Sequence, residues 1–119
     1  MKEKIEALRL RTKSFALRII NLYSSLPRNT VGRIIGQQLL RSGTSVGANY
    51  REACRARSNA EFISKMGLCL SELDETSYWL ELIVDAKIFP SLKLRQLISE
   101  CNELIAIFTT VVISMKQKN

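Results

Sequence analysis

The sequence predicts an all-α fold, an antiparallel up-down-up-down four-helix bundle made of a single domain over 1–119. Three observations carry this. Apolar residues step by three and four through four long segments, the period of helices packed at a shallow angle. Short breaks near Pro27, Ser58 and Pro90 separate the segments. With only two prolines and five glycines in 119 residues, turn formers are too scarce for a many-stranded sheet.

The first helix is predicted over about 2–26. Its seam is Ile5, Leu8, Phe15, Ile19, Leu22 and Leu26, with Thr12 filling the gap, and Leu17, Ile20 and Tyr23 widen the apolar face. Pro27 stops it, and Asn29-Thr30 offers the next N-cap.

The second helix is predicted over about 31–57, with Val31, Ile35, Leu39, Val46, Tyr50 and Ala53 as its seam and Ser42 at a seam position. Gly32 and Gly36 are four apart, as are Gly43 and Gly47. Each glycine in a helix interior costs about 1 kcal/mol relative to alanine, so propensity alone allows a loop at 42–45. The three-and-four phase nevertheless runs through that stretch unbroken. The reading is therefore one continuous helix whose small residues let a neighbouring backbone come close, within a subunit or between subunits.

Ser58 followed by Glu61 is a capping-box pattern and opens the third helix, predicted over about 59–87. Its seam is Phe62, Met66, Cys69, Leu73, Thr76, Leu80 and Ile83. Leu70, Trp79 and Leu82 broaden this face. After Phe89-Pro90, Ser91 is the expected N-cap of a fourth helix over about 92–116. Its seam is Leu94, Ile98, Cys101, Ile105, Phe108, Val112 and Met115, and the last few residues should fray.

Charge is unevenly shared. The net charge is +7. Over 28–57, six arginines (Arg28, Arg33, Arg41, Arg51, Arg55, Arg57) face Glu52 alone, with no lysine. The third helix answers with Glu61, Glu72, Asp74, Glu75, Glu81 and Asp85 against Lys65 and Lys87. Arginine's planar fork suits carboxylates and phosphates equally. Two readings stay open for Arg41, Arg51 and Arg55. Either they pair with Glu72, Asp74 and Glu75, within or between subunits, or the surplus forms a basic surface for nucleic acid, with Lys4, Arg11 and Lys13 of the first helix contributing. No helix-turn-helix, zinc-finger or long basic-region pattern points to major-groove reading.

Several function classes lose support. The chain has no histidine, which removes the usual general base, most zinc sites and the Glu-x-x-His pairs of di-metal bundles. Gly43-Thr-Ser-Val-Gly47 lacks the lysine and the preceding strand of a phosphate loop. No enzymatic activity, cofactor or metal is expected. Cys54, Cys69 and Cys101 lack CxxC spacing and read as reduced, mostly buried thiols. The first fifteen residues carry no signal-peptide core, and no uncharged apolar run reaches about 18 residues, so no membrane span is expected and the cytoplasm is the expected compartment.

One stretch, QLLRSGTSVGANYREACRARSNAEFISKMGLCLSELDETSYWLEL over 38–82, resembles the signature of the four helix bundle protein family, encoded by intervening sequences in bacterial large-subunit ribosomal RNA genes. The matching positions are Arg41, Ser42-Gly43, Ser45-Val46, Ala48-Asn49, Glu52, the basic stretch 55–57, Ser58, Glu61-Phe62 and Glu72-Leu73-Asp74-Glu75. The chain departs at Ala53, where family members often have glycine after the glutamate, and in Gly67-Leu-Cys-Leu-Ser71 of the third helix. The resemblance implies an up-and-down bundle assembled as a homopentameric ring. It also implies kinship with the accessory variability determinant of diversity-generating retroelements, a basic pentamer that binds nucleic acid and a reverse transcriptase. The functional expectation is electrostatic, weakly selective binding of RNA or DNA through Arg51, Arg55 and Arg57, helped by Lys4, Arg11 and Lys13. The alternative is a protein–protein adaptor, such as a reverse-transcriptase accessory, without direct nucleic-acid contact.

Overall fold

A computed structural model describes residues 2–118 as four helices: α1 (Lys2–Ser25), α2 (Thr30–Ala53), α3 (Asn59–Asp85) and α4 (Ser91–Gln117). Each helix packs on the next, and α1 meets α4 more sparsely to close the bundle. The rod measures 47 × 22 × 20 Å, the length expected when helices of this size, about 40 Å long, lie side by side. The all-α up-and-down architecture is the one the apolar periodicity predicts.

The core is built from the predicted seams of α1 and α3, with Phe15, Ile19, Met66, Leu73 and Ile83 fully buried. Two seams differ in detail. Val31 is 55% exposed because it lies eight residues before Leu39, about 80° around the helix from it. In α4 the fully packed stripe is Leu94, Leu97, Cys101, Leu104 and Phe108, whereas Ile98 and Ile105 sit at its margin. A three-four alternation from Leu94 fits either set, and packing against α3 selects the first.

The second helix is continuous through its glycines, and the reason is steric. A Cβ at Gly43 would lie 2.8 Å from Ile19 Cγ1, one at Gly36 would lie 3.0 Å from Tyr23 Cδ1, and one at Gly47 would lie 3.3 Å from Thr12 Oγ1. A Cβ at Gly32 would collide with the carbonyl oxygen of Pro27. Gly36, Gly43 and Gly47 therefore form one groove along α2 into which α1 settles, and Gly32 makes room for the α1–α2 turn. Their role is intrachain close approach, one of the two readings their spacing allowed. On the opposite flank, the buried hydroxyls of Ser42 and Thr76 hydrogen-bond each other at 2.8 Å, joining α2 to α3.

Helix ends follow local chemistry. Asn29 caps α2, its side-chain oxygen accepting from Gly32 N–H at 2.8 Å. The second helix stops at Ala53, four residues earlier than expected, because the Arg55 and Ala56 amides bond to carbonyls three residues back and tighten the last turn. Ser58 Oγ accepts from Glu61 N–H at 3.0 Å, capping α3, while the Glu61 carboxylate accepts from the Arg57 amide at 2.9 Å. Ser91 is the first residue of α4 and not its N-cap; Pro90 occupies that position without a side-chain cap.

The third helix ends in a Schellman turn. Ile88 N–H reaches Ile83 O, Lys87 N–H reaches Val84 O, and Lys87 takes the left-handed conformation at φ 56°. A Cβ in that region costs about 1–2 kcal/mol, against a glycine entropy cost of about 0.5–1 kcal/mol. Lys87→Gly is therefore expected to stabilise the protein by up to about 1 kcal/mol, read as a higher urea midpoint with unchanged m-value.

By length and composition α4 reaches further than the sequence reading expected. An 18-residue window within Ser91–Gln117 has a mean hydropathy of 1.5, sufficient for a membrane span, and 28% of that window is buried. Its core stripe against the other helices, and the ion pair that Glu100 makes with Arg11 of α1, assign it to the bundle wall.

Candidate nucleic-acid interface

Antiparallel packing brings four chain segments to one end of the rod: the first turn of α1, the last turn of α2, the turn into α3 and the end of α4. Most of the expected basic set belongs here. Arg51 stands exposed on the last turn of α2, and Arg55 and Arg57 are exposed on the turn that follows. The capping contact of Glu61 fixes the Arg57 backbone and leaves its guanidinium to solvent.

Ion pairs sort the cations into two groups. Arg41 is held at 2.6 Å by Glu75, with Glu72 at 3.9 Å, which ties α2 to α3. Lys65 meets Glu52 at 2.9 Å across the same helix pair, and this hydrogen bond raises the lysine pKa. Arg11, expected among the free cations, makes a two-pronged contact with Glu100, Nη2 to Oε1 at 2.6 Å and Nε to Oε2 at 3.1 Å, with Glu103 at 3.5 Å. The Glu100 hydrogen bond raises the Arg11 pKa further, and the pair fastens α1 to α4 where packing is sparsest. Among the described residues, no carboxylate lies within 4.0 Å of the charged side-chain nitrogens of Arg51, Arg55, Arg57, Lys4 or Lys13. Of the three second-helix arginines with two open readings, Arg41 is paired and Arg51 and Arg55 are not.

The first-helix cations do not act as a block. Lys4 and Lys13 are nine residues apart, half a revolution, and face opposite sides of α1. Lys4 instead shares the rim of an end groove of about 680 Å³ with Arg57 and Lys118. Sequence reasoning missed Lys118, expected in a fraying tail; α4 runs on to Gln117 and Lys118 caps it. The available signal was topological, since an up-down-up-down chain puts 118 at the same end as 4 and 57.

The remaining signature positions are mostly structural. Gly43 and Gly47 receive α1, and Arg41, Glu52, Glu72 and Glu75 join α2 to α3. Ser58 and Glu61 shape the turn, and Ser45 Oγ donates to the Arg41 carbonyl at 2.7 Å. Asn49 is half-buried and its side chain makes no hydrogen bond among the described residues. Cys69 and Cys101 are buried with thiols donating to the Val46 and Leu73 carbonyls at 3.6 Å, and burial pushes both pKa values up to about 12. Only Cys54 is exposed.

Fold and surface together define a class: a small up-and-down helical bundle whose polar signature is spent largely on holding helices together, with a cluster of uncommitted cations at one end. Comparison with known proteins names the family. A family model described as 23S rRNA-intervening sequence protein matches residues 7–110, and the chain belongs to that family. It is also similar to a crystal structure of a protein with unknown function from the S23 ribosomal protein family from Bacteroides thetaiotaomicron. The two share 35% identity at a TM-score of 0.85, over 92% of this chain and 97% of that one. No curated protein matches.

Proposed function

We propose that this protein is a non-enzymatic, cytoplasmic bundle that self-assembles, as a homopentameric ring, and binds RNA or DNA through electrostatic contact with the phosphate backbone. Arg51, Arg55 and Arg57 carry the binding, Lys4 extends the surface at the same end, and Lys13 lies on another face. The observation that supports this is the division among the cations. Arg41, Arg11 and Lys65 have carboxylate partners, whereas the three arginines around the α2–α3 turn stand in solvent without one. Unpaired guanidinium groups in such a cluster suit phosphates, and no recognition element for base edges accompanies them. Self-assembly draws support from exposed Leu10 and Leu17, seven residues apart on one side of α1, with Ile20 beside them.

The test is binding of labelled RNA and DNA duplexes across a salt series, with the oligomer's mass measured in the same samples. A linear log–log salt dependence equivalent to several released ions is expected. Replacing Arg51, Arg55 and Arg57 together by alanine should reduce the slope by about 2–3, because each phosphate contact contributes about 0.9. Arg95→Ala, at the opposite end of the rod, should leave it unchanged. Absence of binding at about 50 mM salt would overturn the reading.

A further inference from the structure

The end groove has a chemistry that phosphate binding does not use. Its floor is apolar and adaptable: Ile5 and Leu8 from α1, Phe62 and Met66 from α3, Val111 and Met115 from α4. Its rim carries Lys4, Arg57 and Lys118 from three different parts of the chain, and among the described residues no carboxylate lines it. At about 680 Å³ it is within the usual range of ligand sites. A duplex backbone offers phosphates to the rim and nothing to the floor. Unpaired bases would need an open aromatic face, but the Tyr50 ring is 2% exposed and Phe62 is partly buried in the core. Aliphatic side chains and the part-exposed Met115 below three cations match a helix that is apolar on one side and acidic on the other.

We propose that this groove docks an acidic amphipathic helical segment of a protein partner, its apolar anchors seated on the floor and its flanking carboxylates paired with Lys4, Arg57 and Lys118. The proposal does not depend on nucleic-acid binding, although Arg57 and Lys4 belong to both surfaces. Two ligands that need these cations should therefore exclude each other.

The protein carries its own reporter, since Cys54 lines the groove and is exposed while Cys69 and Cys101 are buried. The probe is a synthetic peptide of about 15 residues, four turns of helix, with Leu and Phe at i, i+3, i+4 and i+7 and Glu on the other face. A second peptide of identical composition scrambles that periodicity. Fluorescence anisotropy is expected to show saturable binding of the first peptide only, and maleimide alkylation of Cys54 should slow in its presence. Charge reversal by Lys4→Glu with Lys118→Glu, both exposed, should weaken binding about tenfold or more while the helical circular dichroism stays unchanged. Equal binding of both peptides, no binding of either, or an unchanged affinity in the charge-reversed protein would overturn the proposal. So would protection of Cys54 that grows with protein concentration in the absence of peptide, because a second copy of the chain would then fill the groove. Protection by oleate but not by peptide would equally overturn it in favour of a lipid anion.

Discussion

Gly43→Ala is expected to destabilise the protein by about 2 kcal/mol, while the same substitution at Gly67 stabilises it by about 1 kcal/mol. Both residues are glycines inside long helices, so propensity predicts the same gain at each. Their surroundings are opposite. A Cβ at Gly43 meets Ile19 Cγ1 at 2.8 Å and Cγ2 at 2.9 Å, whereas one at Gly67 meets nothing within 4 Å. Ile19 is fully buried and β-branched, so its branch atoms cannot swing aside into an open rotamer. Relief must come from α1 moving away, which loosens the Tyr23–Gly36 and Thr12–Gly47 contacts on the same groove. Urea unfolding of the two variants beside the parent protein gives both signs in one experiment. Equal stabilisation in both would mean that α1 does not sit in the glycine groove.

The same pair shows what the sequence could reveal and where it stopped. The period of the apolar residues defined four helices, and the unbroken phase of α2 outweighed four unfavourable glycines. A packed helix face is worth more than local propensity. Periodicity also placed the buried seams of α3 and of α1, apart from exposed Ile5, but in α4 it chose Ile98 and Ile105 where Leu97 and Leu104 are buried. There Leu97 and Ile98, and likewise Leu104 and Ile105, are adjacent apolar pairs, and only the position of α3 selects between them. The end of α2 was misread for a related reason. Residues 54–57 carry no glycine or proline to mark the stop, which is imposed by the tightened last turn and the cap of α3.

The candidate site was half legible. Arginine enrichment on α2 is plain in the composition, but which arginines are free depends on where the carboxylates lie. Arg41 faces Glu75 across two helices that are neighbours in sequence, a pairing the sequence reading anticipated as one possibility. The Arg11–Glu100 pair joins residues 89 positions apart and follows from the phase of α1 against α4, which heptad counting alone does not define. The end groove was invisible for the same reason, since α1, the α2–α3 segment and α4 each supply only part of it.

The other large effect is expected at high pH. Cys69 and Cys101 ionise at about 12 in the folded protein, against 9.0 for the free group, because burial penalises the thiolate. The unfolded chain therefore loses protons that the folded chain keeps as pH rises through that interval. Unfolding releases protons, so the stability present below pH about 9 is lost progressively towards pH about 12. Each thiol contributes a limiting slope of about 1.4 kcal/mol per pH unit, and the two together about 2.7 kcal/mol per unit. The Tyr50 hydroxyl, also raised by burial and donating to the Ile5 carbonyl at 3.2 Å, adds to the loss at the upper end. Urea unfolding between pH 7 and pH 10 should show a flat region followed by this decline. A Cys69→Ala/Cys101→Ala variant should start lower, from the lost packing, yet fall less steeply above pH 9. An unchanged slope in that variant would show that the two thiols titrate alike in the folded and unfolded chains. Thiol counting separates that result from simple loss of packing: native protein should expose Cys54 alone to alkylation, and all three cysteines should react once the bundle unfolds.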